Sequence, residues 1–430
     1  MPELAARVTR LAAELERPRV LLIAPHSSYR IAPYLQGAQQ LGLDLVVASQ
    51  GKHSLVPEIA HGVQIDLAHP QHALEMILQA AALHPLAGVI GTDDATVELA
   101  SRAAQALGLP HNPPEAARLS RRKDLARARL AAHGLPVPAH RRLDLSRPLD
   151  QQLHELRFPC VVKPLALSAS RGVIRADDPS QLVAACERIR SILAEVEAVD
   201  PEERTQVLVE EYIPGVEVAV EGLLQSGRLK VLAVFDKPDP LEGPYFEETY
   251  YVTPSRLEPE IQARIHACLE RACLAYGLHH GPVHAELRIS AGEPWILEVA
   301  ARTIGGQCAR LLRFGTGRSL ETLVLSDALG KPLDVQTEPG AAGVLMIPIP
   351  RAGVLRRVEG VLAAQRVPFI EEVEISVREG YELVPLPEGA SYLGFIFARA
   401  PTPQQAESAL RAAHACLNVI TAPVWKLQRG

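Results

Sequence analysis

Lysine is scarce in this 430-residue sequence. Seven occur, at positions 52, 123, 163, 230, 237, 331 and 426, and every other basic residue is arginine. A lysine inside an apolar strand therefore asks for a reason, and Lys163 in "FPCVVKPL" is one. An excess of basic charge is also missing. The net charge is −6, which argues against a nucleic-acid partner. No apolar run approaches the roughly 18 residues of a membrane span, so no membrane partner is expected. The opening "MPELAARVTRLAAELERPR" reads as a charged amphipathic helix, not as a basic head before an apolar run, and no signal peptide is expected. The six cysteines (160, 186, 268, 273, 308 and 416) form no CxxC pair, which excludes a zinc ribbon and gives no sign of a disulfide framework. The pattern GxxxxGK[ST] is absent, which excludes a P-loop enzyme. Internal repeats and low-complexity segments are absent as well. The expectation is a cytoplasmic protein with reduced thiols.

What is present has globular proportions, 47% hydrophobic and 22% charged. The length suggests about two to four domains. "RVLLIAP", "LDLVVAS" and "LAGVIGT" are buried-strand runs that alternate with helical patterns, the sign of a doubly wound parallel unit. Clustered prolines in "PHNPPEAARLSRRKD" break that unit. Strands then dominate ("FPCVVKPL", "QVLVEEYI", "VEVAVEGLL", "RLKVLAVFD"), with helices predicted over about 179–198 and 257–276. Several short strands and the helix "PQQAESALRAAHACL" close the chain as a small α+β cap. The fold class expected is multidomain, α/β followed by α+β, with divisions at 1–113, 114–338 and 339–430.

The densest chemistry lies in "HAELRISAGEPWILEVAAR", residues 284–302. It reads as two alternating strands. A three-residue loop, Ala291-Gly292-Glu293, would pair Ser290 with Pro294 and set Glu286 directly across from Glu298. Like charges so placed are destabilising. A divalent cation between them removes the conflict, and hard carboxylate oxygens suit Mg²⁺. The alternative is an exposed hairpin whose glutamates face water. Arg302, on the same face as Glu298, favours the cation, because a cation with an anionic phosphate satisfies all three groups. Lys163, followed by the small-residue loop "ALSASRGV" with Ser170, offers a point charge and backbone N–H groups to phosphate oxygens. A lysine snorkelling from a strand end is the plainer alternative. In "VLVEEYIPGVEVAVEG", residues Glu210, Glu211, Tyr212 and Ile213 can present backbone groups to a flat heterocycle, and Glu217 a carboxylate to a ribose diol. Taken alone, a charged strand end before a simple Pro-Gly turn is the plainer reading. His284 shares the Glu286 face, as a substrate contact or as a locally hydrogen-bonded histidine. Lys237 and the loop "LEGPYFEETYYVTPS" are candidates for an amino-acid pocket whose aromatic and acidic residues suit a substrate ammonium.

In order, Lys123, "VVKP" with its loop, "VEEYIPGVE", "HAELR" and "LEVAAR…GG" resemble the ATP-grasp superfamily of carboxylate–amine ligases over about residues 114–335. Within it, the chain is most similar to dipeptide-forming L-amino-acid ligases and carnosine synthase, and less so to D-alanine–D-alanine ligase. The resemblance implies an ATP-grasp core of two subdomains. Lys123, Lys163 and Ser170 would meet the ATP phosphates, Glu210 and the 211–213 backbone the adenine, and Glu217 the ribose. Glu286 and Glu298 would hold Mg²⁺, with Mn²⁺ as the alternative ion. Arg302 and Lys163 would be catalytic at an acyl phosphate. Gly305 and Gly306 would let backbone amides approach a substrate carboxylate, beside His284 and Lys237. Many relatives carry Asn two residues after the second metal glutamate, where this chain has Ala300. Small-molecule amino-acid substrates and a homodimer are expected. A ligase acting on another carboxylate, or a nucleotide-binding protein without ligation, are the alternatives.

Overall fold

The computed structural model describes residues 17–26, 28–50, 61–196, 200–333, 335 and 338–424, and the amphipathic helix expected at the start lies outside them. Strands β1 (Arg19–Ile23), β2 (Asp44–Ser49), β3 (His61–Gln64) and β4 (Gly88–Gly91) form a parallel sheet in the order β3-β2-β1-β4. The run "VLLI" is apolar throughout because both faces of β1 are covered: Val20 and Leu22 pack with Tyr34 on one side, Leu21 and Ile23 with Ile77 on the other. The sequence reading found three of these strands. It passed over β3, an edge strand whose "HGVQ" carries a single large apolar side chain.

A second sheet follows, from β5 (His140–Asp144), β6 (Cys160–Pro164), β7 (Ile174–Ala176) and β8 (Gln206–Glu211), antiparallel in the order β5-β8-β6-β7. The helix Pro179–Glu195 covers it, started by the Asp178 side chain, which accepts from Gln181 N.

The remaining strands are β9 (Val216–Gln225), β10 (Arg228–Lys237), β11 (Tyr250–Thr253), β12 (Gly281–Ser290), β13 (Glu293–Ala300), β14 (Ala341–Ile347), β15 (Gly353–Glu359), β16 (Ile370–Ile375), β17 (Glu382–Leu383), β18 (Gly394–Ala400) and β19 (Asn418–Ala422). Eight of them make one antiparallel sheet, β13-β12-β9-β10-β11-β14-β18-β16, and β17-β15-β19 make a small one. The C-terminal segment thus prolongs the large sheet through β14, β18 and β16. Alternation divides the two faces of that sheet. Val218, Val220, Ala285 and Leu287 bury against the helix Pro259–Tyr276, while Phe235, Tyr251, Met346 and Phe395 lie on the other side.

The β12–β13 hairpin differs from its expected form. Its loop has two residues, Ala291 and Gly292, at φ 52° and 80°, and Ser290 pairs with Glu293. That register alone would have set Glu286 against another residue. A β-bulge corrects it: Leu287 pairs with Ile296 while Glu286 pairs with Glu298, leaving Leu297 extra. The two glutamates face each other after all, by a shorter turn and a bulge.

Candidate active site

The face of the large sheet turned away from the helix Pro259–Tyr276 carries the charge. On β12 the alternation places His284, Glu286 and Arg288 together, and on β9 it places Glu217 and Glu221. Lys237, at the end of β10, sits among three carboxylates: Glu217 at 2.8 Å, Glu248 at 2.5 Å and Glu286 at 3.3 Å. These glutamates have oxygens within 4.8 Å of one another, a spacing that suits a cation. Burial opposes the charge on Lys237, but the carboxylates outweigh it and hold the ammonium well above the usual lysine range. Burial, reinforced by the Glu286 charge, pushes Glu248 up to about 7. Glu248 also accepts from Tyr251 OH at 2.7 Å. Glu217, expected at a ribose, has both oxygens engaged, one by Lys237 and the other by Arg288 Nε at 3.0 Å.

His284 lies between two acids, Nδ1 3.3 Å from Glu221 Oε2 and Nε2 3.6 Å from Glu286 Oε1. Burial lowers its basicity, yet the two carboxylates prevail and push it up to about 9. Glu221 is fully buried and also accepts from Ile304 N.

The second sheet supplies the facing wall. Lys163 Nζ, on β6, is 2.6 Å from Glu210 Oε2 on β8, and Arg127 Nε is 2.6 Å from Glu210 Oε1. Burial works against the Glu210 charge, but Arg127 and Lys163 keep its carboxyl below the usual range. Glu210 is therefore an anchor for two cations as well as a candidate adenine contact. Lys123 donates to Leu167 O at 2.8 Å and lies 3.4 Å from Glu298 Oε2, so it spans the small-residue loop and the hairpin. Of the backbone groups expected at a base, Glu211 N, Tyr212 N and Ile213 O are committed to Ala139 O, Pro159 O and Arg288 Nη1. The Tyr212 ring lies under the Arg175 and Arg288 guanidiniums.

Two further segments close the cleft. Arg302 donates from Nε to Asp94 Oδ1 at 2.9 Å, and Asp94 follows β4 of the parallel sheet. Gly306 has φ 59°, and a Cβ there would lie 2.4 Å from Met346 Sδ, so a glycine keeps this backbone close to β14. Gly305 lies beside Tyr29 and Arg30. Ser391 and Tyr392, ahead of β18, complete the lining of an open cleft of about 510 Å³. Ser170 lies in the loop over it, at φ 53°.

The residues singled out in the sequence line this one cleft except Lys237, which is buried behind the lining and acts on it through Glu217, Glu248 and Glu286. Those that sequence reasoning missed are Arg127, Glu221, Arg288, Asp94 and Arg30, while Glu248 comes from the acidic loop that it had offered for an ammonium. Glu221 had a signal, since it falls on the Glu217 face of a strand that is otherwise apolar. Asp94 had one too, because ligand sites gather beyond the carboxyl ends of parallel strands. The five cysteines with buried side chains and the partly buried Cys416 are all free. Among the described residues no helix is long and apolar enough to cross a membrane.

Comparison with known proteins matches three segments in series: an ATP-grasp N-terminal domain over residues 35–111, an ATP-grasp domain over 156–310 and an L-amino acid ligase C-terminal domain over 345–422. Carnosine synthase 1 of Gallus gallus is 30% identical over 76% of this chain, which spans 37% of that protein's length. Alanine–anticapsin ligase of Bacillus subtilis is 24% identical over 75% of this chain and 77% of its own. The crystal structure of an L-amino acid ligase from Bacillus licheniformis superposes with a TM-score of 0.79 at 25% identity, covering 94% of this chain and 99% of that one. With family matches from residue 35 to residue 422 and a two-walled cleft of opposed acids and cations, the chain belongs to the ATP-grasp superfamily and is an ATP-dependent ligase of the kind that forms carbon–nitrogen bonds.

Proposed function

We propose that this enzyme joins the carboxylate of an amino acid, or a close analogue, to the amine of a second amino acid through an acyl phosphate, releasing ADP and phosphate. The observation that carries this reading is the composition of the cleft: Lys123, Lys163 and Arg302 converge where Glu286 and Glu298 stand opposed. A carboxylate is a poor electrophile until phosphorylated, and the resulting intermediate needs positive charge and exclusion of water, not a protein nucleophile. The names of the relatives, a carnosine synthase and an alanine–anticapsin ligase, support amino-acid substrates.

Glu286 and Glu298 fit a hard divalent cation. Each is balanced by lysine, Lys237 or Lys123, and their oxygens come from adjacent strands. Mg²⁺ held there would draw charge from the nucleotide phosphates; Mn²⁺ offers the same oxygen chemistry. Ala300 contributes no ligand. The chain's own residues do the rest. Lys163 and Lys123 hold phosphate oxygens, with the 166–172 loop closing above them. Arg302, fixed by Asp94, faces the oxyanion that develops as the amine attacks. Glu248 and Tyr251 receive the ammonium of the electrophilic amino acid, and Lys237 keeps Glu248 oriented.

The test is ADP release across pairs of amino acids, followed by ¹⁸O placed in the electrophilic carboxylate. One ADP per amide bond, with label recovered in inorganic phosphate, is the expected outcome. Release of AMP, or label retained wholly in the amide, overturns the acyl phosphate.

A further inference from the structure

Arg30 has no part in that reaction scheme. It follows β1 and forms the N-terminal boundary of the helix Ile31–Leu41, yet it lies in the cleft with 7% of its surface exposed. Nη1 donates to Thr303 O at 3.0 Å and to Thr303 Oγ1 at 2.5 Å. Nε is buried without a hydrogen-bond partner, with Asp93 Oδ1 3.8 Å away. Arg302 Nη1 donates to the same Thr303 carbonyl at 3.1 Å, so two guanidiniums flank one oxygen. Asp94 neutralises Arg302 through a 2.9 Å bond, whereas the more distant Asp93 offsets Arg30 only in part. Two like charges so close in a partly desolvated cleft are unfavourable unless an anion joins them. A Cβ on Gly305 would lie 3.7 Å from Arg30 Nη2 and 3.8 Å from Tyr29 OH, so guanidinium and phenol stand over that backbone. The helix that begins after Arg30 has neither a side-chain cap nor an acidic residue in its first turn, so its positive end is not offset there.

We propose that Arg30 receives the free carboxylate of the amine-bearing amino acid. The inference rests on the ligase reading above. A guanidinium fork matches a carboxylate in shape and charge. Arg302 shares Thr303 with Arg30 and addresses the acyl phosphate, so a carboxylate on Arg30 directs the attached α-amine toward the electrophile. The second substrate is accordingly an α-amino acid and not a simple amine. Arg30 also explains why the parallel N-terminal sheet is packed against the grasp: it brings a recognition group to the side of the site that the two facing sheets leave open.

The experiment has two stages. Hydroxylamine, which has no carboxylate, replaces the amine with single amino acids as electrophiles. Hydroxamate formed with ADP supports the ligase reading, and none with any amino acid removes both that reading and the role of Arg30. The most active pair is then assayed with the amine partner as free acid and as carboxamide. The wild type is expected to show a KM for the free acid at least about tenfold lower than for the amide. Arg30→Ala should collapse that ratio to within about twofold through the KM of the acid, and Arg30→Lys should restore part of it. Thermal melting confirms that the variants fold. A merely structural role would move both KM values together. Equal KM values in the wild type, or a ratio that survives in a folded Arg30→Ala, would overturn the proposal; the wild-type ratio needs no variant.

Discussion

Glu286 and Glu298 meet across the hairpin, but each has its own lysine, and this changes what a substitution does. Relief of like-charge repulsion would stabilise either Gln variant in the absence of metal. Glu286, however, is held by Lys237 at 3.3 Å and His284 at 3.6 Å, so Glu286→Gln removes a charge that its neighbours need. A loss of about 1–3 kcal/mol is expected, against near-neutral stability for Glu298→Gln, whose lysine partner is 3.4 Å away and less buried. Denaturant unfolding in EDTA checks the difference, and both variants should lose metal-dependent ADP release. Asp94 carries a pH prediction. Burial disfavours its charge, but Arg302 prevails and holds its carboxyl below the ordinary range. Its contribution is thus present above the unfolded value of about 3.9 and is lost as pH falls through the lower folded value. Melting curves from pH 3 to 7 should fall more steeply on the acid side in the wild type than in Asp94→Asn. The glutamates, Lys163 and Arg302 were legible because alternation within one strand exposes a charge that does not fit. Asp94 and Arg30 meet partners 208 and 273 residues away, a pairing that no local pattern carries.

At the scale of elements, the small-residue loop 166–172 is the clearest case of structure adding to sequence. It is fastened at its far end: Gly172 N donates to Pro387 O at 2.9 Å, and Arg171 Nε donates to Glu388 O at 2.8 Å. Arg188 Nη2 adds a 2.9 Å bond to the Glu388 carboxylate. These partners lie about two hundred residues ahead in the chain, which is why composition could show the loop but not its latch. Glu388→Ala removes the half-exposed ion pair and keeps the backbone bonds, so global stability should change by less than about 1 kcal/mol. Opening of the loop should become easier, with tryptic cleavage after Arg171 several-fold faster than in the wild type. Nucleotide should suppress that cleavage in both proteins. An unchanged rate without nucleotide would show that Glu388 does not hold the loop. The hairpin teaches a related lesson. Turn length was misjudged by one residue, and the bulge at Leu297 cancelled the error, because register answers to the buried face before it answers to the turn.

Across the whole molecule, the cleft belongs to no single segment. Lys163 comes from the second sheet, Glu286 from the large one, Asp94 from the segment that follows β4 of the parallel one, and Tyr392 from the C-terminal segment just ahead of β18. A ligand that touches all of these stabilises the folded assembly against every route of opening. At a hundredfold excess over Kd, binding to the folded state alone adds about 2.7 kcal/mol. ADP with Mg²⁺ should therefore raise the melting temperature by a few degrees. The metal-dependent part of that rise separates the two opposed glutamates from the rest of the site. On the proposed reading, ADP without Mg²⁺ would bring its phosphates to Lys123 and Lys163, which lie close to Glu298 and Glu210. Added Mg²⁺ would then recruit Glu286 and Glu298, so the increment it gives should vanish in Glu298→Gln while the ADP-only shift persists. Equal shifts with and without Mg²⁺ in the wild type would mean that the two carboxylates hold no metal with the nucleotide. No shift with either would mean that the cleft does not bind the nucleotide at all.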